Sequence, residues 1–243
     1  MASGDPEDDM TDRIERACAD PDLRTVFQPM IELDTKDCIA YEALTRFSDD
    51  DDSLTTRDWF AAAESLGIGA KLELAAVAAA LRHLEDIPAT AALAINVSPK
   101  VAVTDEFFEL VAPYASRLIL ELTEHEPVDD YDALVDGLQD LRDLGARIAI
   151  DDVGAGFASM RHILRLAPEI VKLDLSLTAD VTHSAGSRVL TSVLVDFAER
   201  TGVLITAEGI ETVAELEVLR ELGIDHGQGF LLGPPRALEA HLN

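Results

Sequence analysis

The chain has 243 residues, 48% of them hydrophobic, and its formal net charge at pH 7 is −28. So negative a charge argues strongly against binding of polymeric nucleic acid, which needs a basic surface, and against an anionic membrane surface. Its two cysteines, Cys18 and Cys38, form no disulfide framework or metal-ligand spacing. We see no signal peptide and no membrane-spanning segment, which predicts a cytoplasmic protein.

The first part of the chain changes character near residue 12. Residues 1–12 are acidic and polar, and we expect a disordered tail there, followed by a single domain over residues 13–243. Two β-rich stretches, Thr25–Leu33 and Cys38–Phe47, are joined by a short polar turn and predict a hairpin. Helical periodicity follows over Thr55–Leu66 and Lys71–Glu85.

From residue 92 onward, short apolar runs alternate with helical segments. The predicted strands are Ala92–Ile95, Arg117–Leu120, Arg147–Ile150, Ile170–Leu173, Val203–Thr206 and a weak last one at Ile224–Gln228. Alternation of strand and helix predicts a parallel sheet covered by helices. With the opening hairpin, about eight strands are expected, so the fold class is α/β and the architecture a TIM-like (β/α)8 barrel.

Polar residues stand where these strands end. The series is Glu42, Asn96, Glu121, Asp151 with Asp152, Lys172 with Asp174, Glu208 and Gln228. One acid after one strand is weak evidence in a chain with 47 acids. A whole series is strong evidence, because the carboxyl ends of barrel strands meet on one face, where active sites form.

The donor atoms in this series suit hard divalent cations. Carboxylate and amide oxygens are ligands of Mg²⁺ or Mn²⁺, and Asp151 and Asp152 could bridge or flank two ions, as in phosphoryl displacement. Lys172 has two interpretations: it orients the attacking water and stabilises the transition state, or it is a salt-bridge partner of Asp174 or the neighbouring acids. We assign no role to the histidines.

Several motifs together resemble the EAL-domain family of cyclic di-GMP phosphodiesterases. Y-E-A-L-T-R-F around Glu42 is the first. The others are F-Q-P-M at Phe27, N-V-S-P at Asn96, L-E-L-T-E at Leu120, I-D-D-V-G-A-G-F at Ile150, V-K-L-D at Val171, A-E-G-I-E-T at Ala207 and G-Q-G-F at Gly227. They occur in family order across residues 23–235, which makes the set highly specific.

The resemblance implies a barrel whose first strand is antiparallel to the rest, and hydrolysis of cyclic di-GMP to linear pGpG. It implies that Glu42, Asn96, Glu121 and Asp151 hold one Mg²⁺ or Mn²⁺ ion, and that Asp151, Asp152 and nearby Glu208 hold a second. The catalytic residues would be Lys172, Glu208, Gln228 and Asp152. Substrate contacts would come from Gln28, Leu44, Arg46 and Asp174. Glu124 would steady the loop after Asp152, and Glu211 would be an acid outside the metal ligands.

Departures from the family pattern are confined to the loop after Asp152, where Val153, Ala155 and Phe157 replace Phe, Thr and Tyr, and to positions such as Phe47. None removes a proposed metal ligand. The alternative function is a catalytically silent cyclic di-GMP receptor or scaffold domain. The resemblance also implies a homodimer, and a sensory or regulatory domain, fused or separate, is a possible partner.

Overall fold

The computed structural model describes residues 6–20, 23–47, 54–123, 128, 130–154 and 158–242. Within them, the strands close into one barrel in chain order. The strands are β1 (Arg24–Glu32), β2 (Cys38–Arg46), β3 (Ala92–Val97), β4 (Leu118–Leu122), β5 (Arg147–Val153), β6 (Ile170–Leu173), β7 (Leu204–Ala207) and β8 (His226–Gly227). The predicted β/α barrel is thereby confirmed.

The first strand is the exception to parallel pairing. β1 runs antiparallel to β2 and to β8, whereas every other neighbouring pair is parallel. The short turn that joins β1 to β2 explains this, because a hairpin connection can only join antiparallel strands. The expectation of an antiparallel first strand is confirmed.

Helices cover the outside of the barrel. They are α1 (Pro6–Ala19), α2 (Thr56–Ser65), α3 (Gly69–Leu81), α4 (Pro99–Ala102), α5 (Asp105–Val111), a 3-10 helix (Ala112–Arg117), α6 (Tyr131–Asp143), α7 (Ala158–Leu166), α8 (Leu175–Asp180), α9 (Ala185–Thr201), α10 (Val213–Glu221) and α11 (Glu239–Leu242). No helix in the described ranges has the length and hydropathy needed to span a membrane.

α1 begins at Pro6, so regular structure starts earlier than the boundary predicted at residue 12. Ile14 anchors the helix, because its side chain is fully buried in a cluster with Trp59, Ala63 and Leu72 of α2 and α3. Met10 also packs against this cluster, one helical turn before Ile14. The acidic composition of the segment conceals this short apolar stripe.

The barrel interior is lined by small and medium apolar side chains. Met30, Ala40, Ala92, Ala94, Ile119, Ala149 and Ile170 form one buried cluster. The intervening residues of the same strands, such as Leu93, Ile95, Ile148 and Ile150, belong instead to the larger core beneath the helices. This alternation is the two-residue period of a β-strand, and it fixes which later residues face inward.

Candidate active site

The inward-facing position that follows the apolar interior is polar on strand after strand. Glu42 comes two residues after Ala40, Asn96 after Ala94, Glu121 after Ile119, Asp151 after Ala149, and Lys172 after Ile170. Because side chains two residues apart share a face, the barrel presents these groups to one another at the carboxyl ends of its strands. These five of the strand-end residues that the sequence singled out therefore share one site.

Lys172 lies at the centre of this site. Its side chain is fully buried, and its Nζ lies 2.9 Å from Glu121 Oε2, 2.7 Å from Glu208 Oε1, 3.3 Å from Asp151 Oδ1 and 3.4 Å from Glu42 Oε2. Lys172 therefore does pair with neighbouring acids, as one interpretation predicted. The same contacts place its ammonium group among four of the predicted metal-binding carboxylates, which is also compatible with a catalytic role.

Amide side chains orient Glu42 from the other side. Asn96 Nδ2 donates to Glu42 Oε1 at 3.1 Å, and Gln228 Nε2 donates to Glu42 Oε2 at 2.5 Å. Gln228 also donates to Gln28 Oε1 at 3.2 Å, and Gln28 Nε2 donates to the carbonyl of Gly233 at 3.1 Å. Gln28 and Gln228 are thus joined to the carboxylate cluster by direct hydrogen bonds.

The consecutive acids of β5 break the strand alternation. The pairing of β5 with β6 shifts register between Ile150 and Val153, and Asp152 has a φ of +57°, a left-handed conformation that is uncommon outside glycine. In a regular strand Asp152 would face away from Asp151. Instead, Asp151, Asp152 and Glu208 each offer a carboxylate oxygen within 4.8 Å of the other two. The bulge thus brings both aspartates into one site.

Burial, together with the crowding of acids, shifts the pKa values of these carboxyl groups. Burial raises the pKa of Glu208 to about 8, helped by Asp151 and Glu42 and only partly offset by Lys172. Burial likewise raises the pKa of Glu121 well above its ordinary value. Burial opposes ionisation of Glu42 as well, but Lys172 and the donors Gln228 and Asn96 hold its pKa below the ordinary value.

The lysine itself stays charged. Burial alone would lower the pKa of Lys172, but Asp151, Glu121, Glu208 and Glu42 together raise it well above its ordinary value. Lys172 is therefore an ammonium group at neutral pH, and it acts as a hydrogen-bond donor and a positive charge rather than as a base.

The donor set fits divalent cations. One of its oxygens, Glu121 Oε1, is buried and has no hydrogen-bond partner among the described residues, whereas Asp151 Oδ1, also buried, lies 3.3 Å from the Lys172 ammonium group. An unpaired buried carboxylate oxygen is costly, so Glu121 Oε1 favours a bound cation. When all five carboxylates are ionised, they and the one ammonium group carry a formal charge of −4, which two divalent ions would neutralise.

A cavity of about 550 Å³ opens beside the cluster, between β2, β3 and the helices α2 and α3. Asn96 and Asp152 line the end of the cavity nearest the carboxylates, and Leu44 and Arg46 of β2 line it as well. Phe60 and Val77 add an apolar wall. The cavity therefore provides a mixed apolar and polar chamber that adjoins the carboxylate cluster.

The remaining predicted site residues lie outside the cluster around Lys172. Asp174 is the N-cap of α8, and its Oδ1 accepts from the backbone N–H of Ser176 at 2.9 Å. Glu211 is exposed, and its backbone N–H donates to Glu215 of α10 at 2.9 Å. Glu124 and most of the loop predicted after Asp152 (residues 155–157) lie outside the described residues.

Sequence reasoning missed Ser98 and Glu73, two polar residues beside the site. Ser98 is buried and caps α4, and Glu73 of α3 accepts hydrogen bonds from it. Ser98 was detectable, because a serine followed by proline is the typical start of a helix. Glu73 carried no such signal, since an acid on a helix is usually solvated.

Comparison with known proteins supplies independent evidence. The family model for the EAL domain matches residues 11–235. A cyclic di-GMP phosphodiesterase of Pseudomonas aeruginosa is 31% identical over 223 residues, which cover 86% of this chain and 38% of that protein. The chain spans only 18–40% of the length of the first curated relatives that it matches.

Solved structures of similar proteins agree with the match to the family model. The PaMucR phosphodiesterase in complex with c-di-GMP superposes with a TM-score of 0.84 at 27% identity, covering 96% of this chain and 99% of that one. BlrP1 of Klebsiella pneumoniae, solved as a manganese and cyclic di-GMP complex, has a TM-score of 0.78 at 27% identity, covering 88% and 56%. Both relatives contain cyclic di-GMP.

Proposed function

The chain belongs to the EAL domain family, and on that premise we propose that it is a metal-dependent phosphodiesterase that hydrolyses cyclic di-GMP to linear pGpG. The observation that carries the proposal is the buried group of carboxylates around Lys172, with Asp151, Asp152 and Glu208 offering oxygens within 4.8 Å of one another. In the proposed reaction, water adds to one phosphorus, the bond from phosphorus to the 3′ oxygen breaks, and that oxygen takes up a proton.

Two ions, Mg²⁺ or Mn²⁺, would be held by the residues that the barrel brings together. Glu42, Asn96, Glu121 and Asp151 would hold one, and Asp151, Asp152 and Glu208 the other, directly or through water. When bound, the cations supply the positive charge that lowers the pKa of the attacking water and neutralises the phosphate.

The protein's own groups would orient the attack. Lys172, held as an ammonium group, would donate a hydrogen bond to the water and stabilise the charge that develops on the phosphate oxygens. Gln228 lies in the same network through its contact with Glu42, so its amide would help to place that water. Burial of Lys172 strengthens these interactions, because water does not screen them.

The cavity beside Asp152 would receive one nucleoside of the substrate. Leu44 and Phe60 provide apolar surface for the base, and Arg46 supplies a cation for a phosphate in a chain whose net charge is −28. We propose that Gln28 and Asp174 complete the substrate contacts, that Glu124 steadies the loop after Asp152, and that Glu211 lies outside the ligand set.

Hydrolysis is tested by incubating the pure protein with cyclic di-GMP and either Mg²⁺ or Mn²⁺, and separating the products by chromatography. The proposal predicts pGpG with at least one metal and none in the presence of excess EDTA. Absence of product with both metals, accompanied by calorimetric binding of cyclic di-GMP, would instead establish a silent receptor.

We also propose a homodimer that works with a sensory or regulatory domain. α7 and α9 follow neighbouring strands and expose apolar side chains: Leu164 is 70% exposed, Val189 63% and Val193 56%. Val189 and Val193 lie one helical turn apart on α9, and an exposed apolar stripe of this kind is typical of an interface. Light scattering should give twice the monomer mass, and Leu164→Glu should reduce it; a monomeric wild type would contradict the dimer.

A further inference from the structure

The end of β3 is held from outside the barrel by an acid on α3. Glu73 Oε2 accepts a hydrogen bond from the backbone N–H of Ser98 at 2.9 Å, and Glu73 Oε1 accepts one from the Ser98 hydroxyl at 2.9 Å. Both oxygens of one carboxylate thus contact a single residue. Hydrogen bonds to an ionised carboxylate are stronger and more directional than neutral ones, so this contact fixes Ser98 firmly.

Ser98 is itself a junction between strand and helix. Its side chain is 4% exposed, and its hydroxyl oxygen accepts from the backbone N–H of Val101 at 3.4 Å as the N-cap of α4. The ladder between β3 and β4 ends at Val97. Ser98 is therefore the first residue beyond the barrel ladder, where the chain would otherwise be least constrained.

Asn96 lies two residues before this anchor. It is the inward-facing group at the end of β3, and its Nδ2 donates to Glu42 Oε1 at 3.1 Å. This hydrogen bond leaves the amide oxygen as the atom that Asn96 offers to a cation. The direction of that oxygen depends on the backbone between Asn96 and Ser98, which the ladder holds on one side and Glu73 on the other.

We propose that Glu73 is a positioning residue of the metal site, which acts through Ser98 to fix Asn96. The inference rests on the proposed function only in treating Asn96 as a metal ligand. Glu73 touches neither cation nor reacting atoms in this account. Its role is that of an outer hydrogen-bond partner, whose loss commonly weakens metal binding by one to two orders of magnitude.

The test is calorimetric titration of the full chain with Mn²⁺, comparing the wild type with Glu73→Gln. The variant is nearly isosteric but loses the charge and one of the two acceptor oxygens. We expect its Mn²⁺ affinity to fall by about 10-fold. Turnover should fall at limiting Mn²⁺ and recover to within a few-fold of wild type at saturating Mn²⁺, because Asn96 itself is intact.

Glu169→Gln is the matched control. The Glu169 side chain also holds a strand by a backbone group, because its Oε2 accepts a hydrogen bond from the N–H of Ile148 at 2.7 Å and its Oε1 accepts one from Arg142 Nε at 2.9 Å. This contact lies at the opposite end of the barrel from the carboxylate cluster. Its loss should lower the melting temperature and leave Mn²⁺ affinity unchanged. Equal weakening of Mn²⁺ binding in both variants would show a general loss of stability and overturn the proposal.

Ser98→Ala keeps the experiment decisive if Glu73→Gln does not fold. It removes one of the two hydrogen bonds to Glu73, so Mn²⁺ affinity should fall in the same direction by a smaller factor. Wild-type Mn²⁺ affinity in whichever of Glu73→Gln and Ser98→Ala are folded would overturn the role of Glu73. A wild type that binds Mn²⁺ but releases no pGpG would contradict the proposed function alone.

Discussion

Asp151 and Asp152 are neighbours in the chain, yet both carboxylates face the same site as Glu208, because Asp152 adopts a φ of +57° at an irregularity in the β5–β6 ladder. A left-handed conformation costs a non-glycine residue about 1–2 kcal/mol. This local strain is the structural cost of presenting two adjacent acids to one site, and such strain is typical of functional sites.

The strain at Asp152 predicts how substitutions there rank in stability. In metal-free protein, Asp152→Gly should be more stable than Asp152→Ala by about 1 kcal/mol, since glycine adopts positive φ at no steric cost. For a chain of this size, that corresponds to a difference of about 2–4 °C in melting temperature. Calorimetric melting in EDTA measures it. Equal melting temperatures would show that the backbone at Asp152 is relaxed.

Asp151 carries the strongest prediction for catalysis. Asp151→Asn keeps the size of the side chain but removes the charge that would bridge the two cations. Turnover of cyclic di-GMP should fall by more than about a hundredfold, because an electrostatic contribution of this kind amounts to several kcal/mol.

As a control, circular dichroism and thermal melting of Asp151→Asn show whether the variant is folded. Removal of one acid from a crowded group should leave the fold intact. Near-normal turnover in the folded variant would mean that Asp151 does not have the assigned role.

Lys172 is predicted to stabilise the metal-free protein as well as to act in catalysis. Lys172→Met removes the one cation that contacts Glu42, Glu121, Asp151 and Glu208 in the described structure. Breaking a buried ion pair commonly costs about 3–5 kcal/mol, so the metal-free variant should melt well below the wild type.

Added Mn²⁺ should raise the melting temperature of Lys172→Met more than that of the wild type, since the acids have then lost the ammonium group that contacts them in the described structure. Turnover should stay low even at saturating Mn²⁺, because the donor to the attacking water is missing. A metal-free variant as stable as the wild type would contradict the central position of Lys172.

Metal removal gives a fourth prediction. A cation that binds the folded chain stabilises it by about 2.7 kcal/mol at a hundred times its dissociation constant. EDTA should therefore lower the melting temperature by about 5 °C or more, and Mg²⁺ or Mn²⁺ should restore it. Asp151→Asn should show a much smaller response. Equal melting temperatures of the wild type in EDTA and in metal would contradict a cation site.

The barrel and most of the cluster were predictable from local patterns. Strand periodicity marks Ala149 and Asp151 as inward-facing, and the same period places Glu121 and Lys172 beside them. Asp152 was recognised as a polar residue at a strand end, but its orientation was not predictable, because strand periodicity sends it outward. Only the backbone geometry of the bulge reverses that direction.

The features that could not be predicted from the sequence depend on long-range contacts. Glu73 and Ser98 are 25 residues apart, and nothing in the helical periodicity of α3 distinguishes Glu73 from a solvated acid. The turns of α1 before residue 13 carry little local signal for a related reason, since the packing of Met10 depends on Trp59 and Leu72, which lie far along the chain. Side chains whose role depends on such contacts carry little local signal.

The most direct test of the account is to run the reaction in ¹⁸O-labelled water with Mn²⁺ and to analyse the dinucleotide by mass spectrometry. Attack of water on phosphorus within the Asp151 cluster predicts pGpG carrying one ¹⁸O atom in its 5′-phosphate after a single turnover, and less than about one hundredth of that labelled product from Asp151→Asn in the same time. Absence of pGpG from the wild type, or pGpG without the label, would contradict the account.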